Sequence, residues 1–188
     1  MLVVLAHRRG RYGGCNTKQE PDALMATATM TPAKVNRPLD GKKPVRAEII
    51  KNLNTALATN LDLYMVAKQA HWNVKGPNFQ GLHALFDTIS DAAREYADLV
   101  AERAVALGGM AEGTREDVSA NSALARFPGK ERHWQALVKE VHGRVLAAAD
   151  QARQFGDGLD DDIATQDIYV EIIRGLDKWA WMLEAHLE

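Results

Sequence analysis

From Val45 onward the chain places an apolar side chain at every third or fourth position: Val45, Ile49, Leu53, Leu57, Leu61, Tyr64 and Ala67. That spacing paints one face of an α-helix and cannot be laid along a β-strand, whose side chains alternate with a period of two. The stripe predicts a first helix over about 45–73. "NVKGPN" then breaks it, because Gly76 and Pro77 both oppose continuation and Asn78 can start a new helix. Three more stripes follow. Leu82, Phe86, Ile89, Ala93, Tyr96, Val100 and Val105 run to Gly108–Gly109; Trp134, Leu137, Val141, Val145, Ala149 and Phe155 run to "GDGLDDD"; Ile163, Ile168, Ile172, Leu176, Trp179, Leu183 and Leu187 complete the set. Between the second and third lies a long connection over about 108–130, rich in glycine and small polar residues. Within it "TREDVSANS" reads as one short helix capped by Thr114.

No β-rich run and no repeat of 20–50 residues competes with this reading. Four long helices with one long crossover containing a short helix describe an all-α, ferritin-like four-helix bundle. The expected division is a bundle over 44–188 preceded by a basic, flexible N-terminal tail over 1–43, which lacks periodicity and is rich in Gly, Thr, Pro, Lys and Arg. Charge follows the same division. Residues 1–46 hold nine Lys and Arg against three Asp and Glu, and the remainder holds fourteen against twenty-two. A basic arm on an acidic body is suited to touching a polyanion.

No segment approaches the ~20 apolar residues of a membrane span, so no membrane association is expected. The opening "MLVVLAHRRGRYGG" has its basic residues after a short apolar run, the reverse of a secretory signal. Met25 and Met30 are alternative starts. One cysteine, Cys15, cannot close an internal disulfide and fits a reducing compartment. The expectation is a cytoplasmic protein.

The second helix carries the chemistry. At about 100° per residue, Asp87, Asp98 and Glu102 stand about 40°, 60° and 100° around from His83, so all four share one side beside the apolar stripe. Ionisable groups there are costly unless paired or bound. An isolated His/Asp pair four apart is ordinary surface polarity. Two such pairs on one face also fit a metal site, but Asp87 and Asp98 lie about 16 Å apart along the axis, far beyond bonds of about 2 Å to one ion. A single copy cannot close that site. An antiparallel second copy, related by a two-fold axis, brings His83 and Asp87 opposite Asp98 and Glu102; the midpoint falls between Ala92 and Ala93, where small side chains would let two backbones approach. His71, near the end of the first helix, could add a nitrogen. This mixture of imidazole and carboxylate suits iron, zinc or manganese. No Glu has His three residues later, so the Glu-x-x-His motif of sites inside one bundle is absent.

"KQAHWNVKGPNFQGLHALFD" followed by "REYADLVAERAVALGG" closely resembles the Dps family, the DNA-protecting ferritin-like proteins of starved bacterial cells. The resemblance covers about 45–188. It implies a ferroxidase centre between two-fold-related subunits, with His71, His83 and Asp87 from one chain and Asp98 and Glu102 from its neighbour as iron ligands. It implies a hollow homododecamer that oxidises ferrous iron, preferably with hydrogen peroxide, and stores the ferric product. The residues act as ligands and the redox chemistry belongs to the metal. The alternative is a nucleoid-compacting DNA-binding protein with little or no ferroxidase activity.

Other features carry two readings each. In the family the tryptophan after the first ligand histidine lies close to the iron, so Trp72 could intercept oxidising equivalents; it could equally pack at a helix end. Trp134, Trp179 and Trp181 are core or interface aromatics, and His133, His142 and His186 are surface or packing histidines. Asp160, Asp161 and Asp162 could cap the last helix or, as the resemblance allows, line a pore guiding ferrous ions inward. Lys34, Arg37, Lys42, Lys43 and Arg46 could neutralise DNA phosphates without reading sequence, with avidity from many arms, and place the protein on the nucleoid; or they belong to a solvated linker.

Overall fold

The computed structural model describes Leu39 and residues 42–188. Five helices follow in order: α1 (Lys43–Asn73), α2 (Phe79–Ala106), α3 (Arg115–Asn121), α4 (Trp134–Gly156) and α5 (Ile163–Glu184). Among the described residues there is no strand, only an isolated bridge between Lys75 and His133. The apolar stripes become one core, in which Leu53, Leu63, Phe86, Leu137, Tyr169 and Leu176 are essentially sealed from solvent. Each aliphatic or Phe side chain so buried contributes about 1.5–3 kcal/mol. Helix α1 packs against α2 and α4, while α5 packs against α4 and α2, which closes a four-helix ring.

The turn between α1 and α2 is short because its backbone is bent by Gly76 at φ +135°, a conformation that L side chains avoid. A Cβ there would also meet Trp134 Cδ1 at 2.4 Å, so Gly76 lets the start of α4 lie against the turn. Lys75 N–H donates to the Arg132 carbonyl at 2.9 Å at the same place. Asn78 occupies the N-cap position of α2, but its side chain makes no capping bond. Thr114 does cap α3, through a reciprocal box with Asp117.

The crossover climbs along α1 from Asn54 to Gln69. Asn54 donates to the Met110 carbonyl and accepts from Glu112 N–H; Thr59 accepts from Ala123 N–H; Ser122 donates to Asp62; Gln69 donates to the Gly129 carbonyl. From α4, Arg144 completes the fastening. Its guanidinium, 8% exposed, donates to the carbonyls of Ala125, Arg126 and Glu140 and to the Glu140 carboxylate, and it lies over the Phe127 ring. A buried charge is tolerated because nearly every donor is satisfied.

Of the sequence-predicted tail, Lys34 and Arg37 and the side chain of Lys43 lie outside the described residues. Helix α1 starts at Lys43, so Lys43 and Arg46 stand in its first turn and not in an irregular arm. No helix among the described residues is long and apolar enough to cross a membrane.

Candidate metal centre

The end of α1 and the start of α2 bring His71 and His83 together. Their rings stack with centroids 3.6 Å apart, and the Phe79 ring lies 5.1 Å from that of His83. His71 Nδ1 donates to the His83 carbonyl at 2.7 Å, and His83 Nδ1 donates to the His71 carbonyl at 2.9 Å. A carbonyl can only accept, so both Nδ1 atoms carry the proton and both Nε2 lone pairs are left for a metal. This reciprocal pair is what the breaker-rich turn achieves.

Asp87 lies one turn along α2, with its carboxylate 3.8 Å from His71 Nδ1. Its direct partner is Lys68, whose ammonium holds Asp87 Oδ1 in an ion pair and hydrogen bond. That hydrogen bond is the largest influence depressing the Asp87 carboxyl below its ordinary value, with smaller help from His71 and His83. Asp87 in turn raises the Lys68 ammonium above its usual range. Lys68 was missed from the sequence, although it stands three residues before His71 and therefore on the same face of α1.

Asp98 and Glu102 are exposed on α2, about three and four turns beyond Asp87. Helix α2 is continuous between them, so they cannot reach His71 or His83 of their own chain. Among the described residues, no group of three or more His, Cys, Asp or Glu side chains is close enough within one protomer to enclose an ion.

The structure departs from the sequence-based expectations, or narrows them, at several positions. Ala93 does not soften an approach between copies, because it is 1% exposed in its own core. The exposed positions flanking the midpoint of α2 are Asp91 and Arg94. Asp162 does not face a channel in the protomer: its side chain is 4% exposed, accepts from Thr165 N–H as the α5 N-cap, and binds Arg103 Nη2 at 2.6 Å. Arg103 Nε also donates to Thr165 Oγ1 at 2.8 Å, tying α2 to the start of α5. Asp160 and Asp161 are exposed, and Asp161 pairs with Lys42 at 2.6 Å. Of the tryptophans expected in the core or at an interface, Trp181 is 64% exposed, which leaves it the interface reading, and Trp134 and Trp179 are half-buried. Trp72, beside His71, is 68% exposed and does not pack at its helix end in the protomer.

Comparison with known proteins converges on one family. The ferritin-like domain profile matches residues 50–188. The chain is 38% identical over 150 residues to a DNA protection during starvation protein of Agrobacterium fabrum, covering 76% of this chain and 90% of that one. It is 33% identical over 143 residues to a protein of the same name from Mycolicibacterium smegmatis, covering 76% and 78%. Among solved structures, Dps from Microbacterium arborescens in its high-iron form superposes with a TM-score of 0.73 at 35% identity, covering 81% of this chain and 99% of that one.

Proposed function

Because the chain belongs to the Dps family of ferritin-like proteins, we propose that it is a ferroxidase and iron store that protects DNA from oxidative damage, working at sites shared between two copies. His71, His83 and Asp87 of one copy and Asp98 and Glu102 of the other hold ferrous iron, the substrate. The observation that carries this reading is the split of the donor set along one continuous helix. Two preset imidazole nitrogens and Asp87 stand at one end of α2, and two exposed carboxylates stand at the other. An antiparallel neighbour joins the two ends.

Each part of the set has a task. The backbone bonds to Nδ1 fix both imidazoles so that they need no reordering when iron arrives. Three carboxylates supply hard oxygen donors that favour the ferric product over the ferrous substrate. Lys68 keeps the Asp87 charge balanced until a dication displaces it. Two ferrous ions each give one electron to hydrogen peroxide, which takes up two protons and leaves as two waters, so hydroxyl radical is avoided. Trp72, next in sequence to His71 and exposed, would intercept an oxidising equivalent that escapes. The donors also suit zinc or manganese, which would compete as inhibitors.

The wider reading is a hollow dodecamer of two-fold dimers that stores ferric mineral in the cytoplasm. It would bind DNA without sequence preference through the basic segment before α1, and so associate with the nucleoid. The test is the double variant His83→Ala/Asp87→Ala, assayed for iron oxidation with peroxide and for DNA retardation. Loss of rapid oxidation with retardation intact supports the ferroxidase; oxidation at the normal rate sinks the ligand assignment.

A further inference from the structure

The pairing that completes the metal centre has a second consequence at the middle of α2. Positions 83 and 102 share a midpoint with 87 and 98, and the same midpoint is shared by 91 and 94. Two antiparallel copies in that register therefore set Asp91 of each level with Arg94 of the other. Direction agrees with level: Arg94 and Asp91 stand about 20° and 80° around from His83, inside the arc of the four α2 donors.

Both side chains are exposed in the protomer. They are three residues apart on one helix and could pair with each other, yet among the described residues neither forms an ion pair within its own chain. Asp91 acts only at a distance, adding to the field that holds the Lys68 proton. Arg94 and Asp98 line an open hollow of about 370 Å³, floored by Leu57, Leu61 and Ala101, which leaves room for side chains of a facing copy. An unpartnered Asp and an unpartnered Arg, equidistant from a two-fold axis, make the face complementary to itself.

We propose that Asp91 and Arg94 key the contact between copies, forming two reciprocal charge pairs across the axis that fix the register in which the metal ligands meet. The occupant of this face is a second copy of the same chain. The inference rests on the shared-site reading above, since it takes its register from the ligands.

The experiment uses full-length chains carrying Asp91→Arg or Arg94→Asp, with association read by native mass spectrometry and sedimentation at low ionic strength. In either single variant, like charges face each other across both halves of the contact, so the dissociation constant should rise by about tenfold or more. Mixing the two variant chains restores opposite charges at both positions, and the mixture should associate like the parent. Recovery on mixing cannot come from a folding defect, because each chain would bring its own defect with it. Parent-like association of either single variant overturns the proposal, and so does a mixture no better than its components. No iron enters this readout. If the key behaves as stated while the parent fails to oxidise iron, the proposed function falls and the key stands. If His83→Ala/Asp87→Ala removes oxidation while the charge variants associate normally, the key falls and the function stands.

Discussion

His71 and His83 are bound to each other twice over: each ring donates from Nδ1 to the other residue's backbone carbonyl, and the two rings stack. The arrangement binds the last turn of α1 to the first turns of α2 and aims two nitrogens before any metal arrives. Replacing either ring by alanine removes a proposed ligand, its own Nδ1 bond and the stack against the other ring, while the backbone carbonyl that anchors the other ring stays. His71→Ala and His83→Ala should each weaken ferrous binding by more than about tenfold, the lower bound for losing even an orienting partner. Calorimetric titration under anaerobic conditions checks this, and circular dichroism should show the helices intact.

Lys68 holds Asp87 in an ion pair, so under the proposed function it would compete with iron for that carboxylate. Lys68→Met removes the hydrogen bond that most depresses the Asp87 carboxyl, so that group should titrate at higher pH in the variant than in the parent, as followed by carboxyl carbon NMR. The folded value is depressed, so ionised Asp87 contributes stability above its unfolded pKa of about 3.8, and loses it as pH falls through the folded value. The parent should therefore show an acid-dependent loss below about pH 4 that is smaller in the variant, where only His71 and His83 still favour the carboxylate. At neutral pH the carboxylate is ionised in both, and ferrous affinity should rise in the variant because no cation must be displaced.

Gly175 is where α5 passes over Tyr96 of α2. A Cβ added there would fall 1.7 Å from the Tyr96 hydroxyl oxygen and 2.8 Å from its Cζ. Alanine ordinarily stabilises a helix interior relative to glycine by about 0.5–1 kcal/mol, but overpacking costs about 1–3 kcal/mol, and the clash decides the sign. Gly175→Ala should lower Tm by several degrees, at about 2–4 °C per kcal/mol for a chain of this size. Adding Tyr96→Phe removes the clashing oxygen and should recover part of the loss.

Arg144 secures the crossover through carbonyls that nothing else among the described residues satisfies from α4. Arg144→Met keeps the apolar stem and deletes the donors, leaving the Ala125 and Arg126 carbonyls without partners. Each such group costs about 1–3 kcal/mol where water cannot replace the donor. The variant should melt earlier and exchange amide hydrogens faster over 122–133, while the α1/α2 histidine pair keeps its protection.

Periodicity placed all four long helices, because a stripe such as Leu53, Leu57 and Leu61 can be buried only one way. It also set where the candidate ligands stand, because spacing on one helix fixes both the face and the level of Asp87 and Asp98. What escaped was partnership between distant segments. Nothing local to Asp162 announces Arg103, so the sequence left helix cap and pore lining both open there, and the buried pair with Arg103 decides for the cap. The alanine midpoint failed for a similar reason: Ala93 lies at the right level but points into its own core, and level without direction does not make a contact. Lys68 stands one turn before His71, but an ammonium cannot bind a cation, so a lysine beside candidate ligands carries no signal in the sequence.

DNA contact, if it runs through the segment before α1, can be separated from everything the bundle does. Helix α1 begins at Lys43, and Lys42 is already paired with Asp161, so cutting the chain before residue 42 removes Lys34 and Arg37 while leaving that pair and the helix start in place. Phosphate contacts of this kind release counterions, and the slope of log affinity against log salt reports how many are made. The truncated protein should lose retardation of duplex DNA at moderate salt and show a shallower slope wherever binding is still measurable, yet oxidise iron at the parental rate. Unchanged retardation would place the DNA-binding element on the bundle instead. A drop in iron oxidation would mean that the segment before residue 42 contributes to the assembly that completes the metal centre.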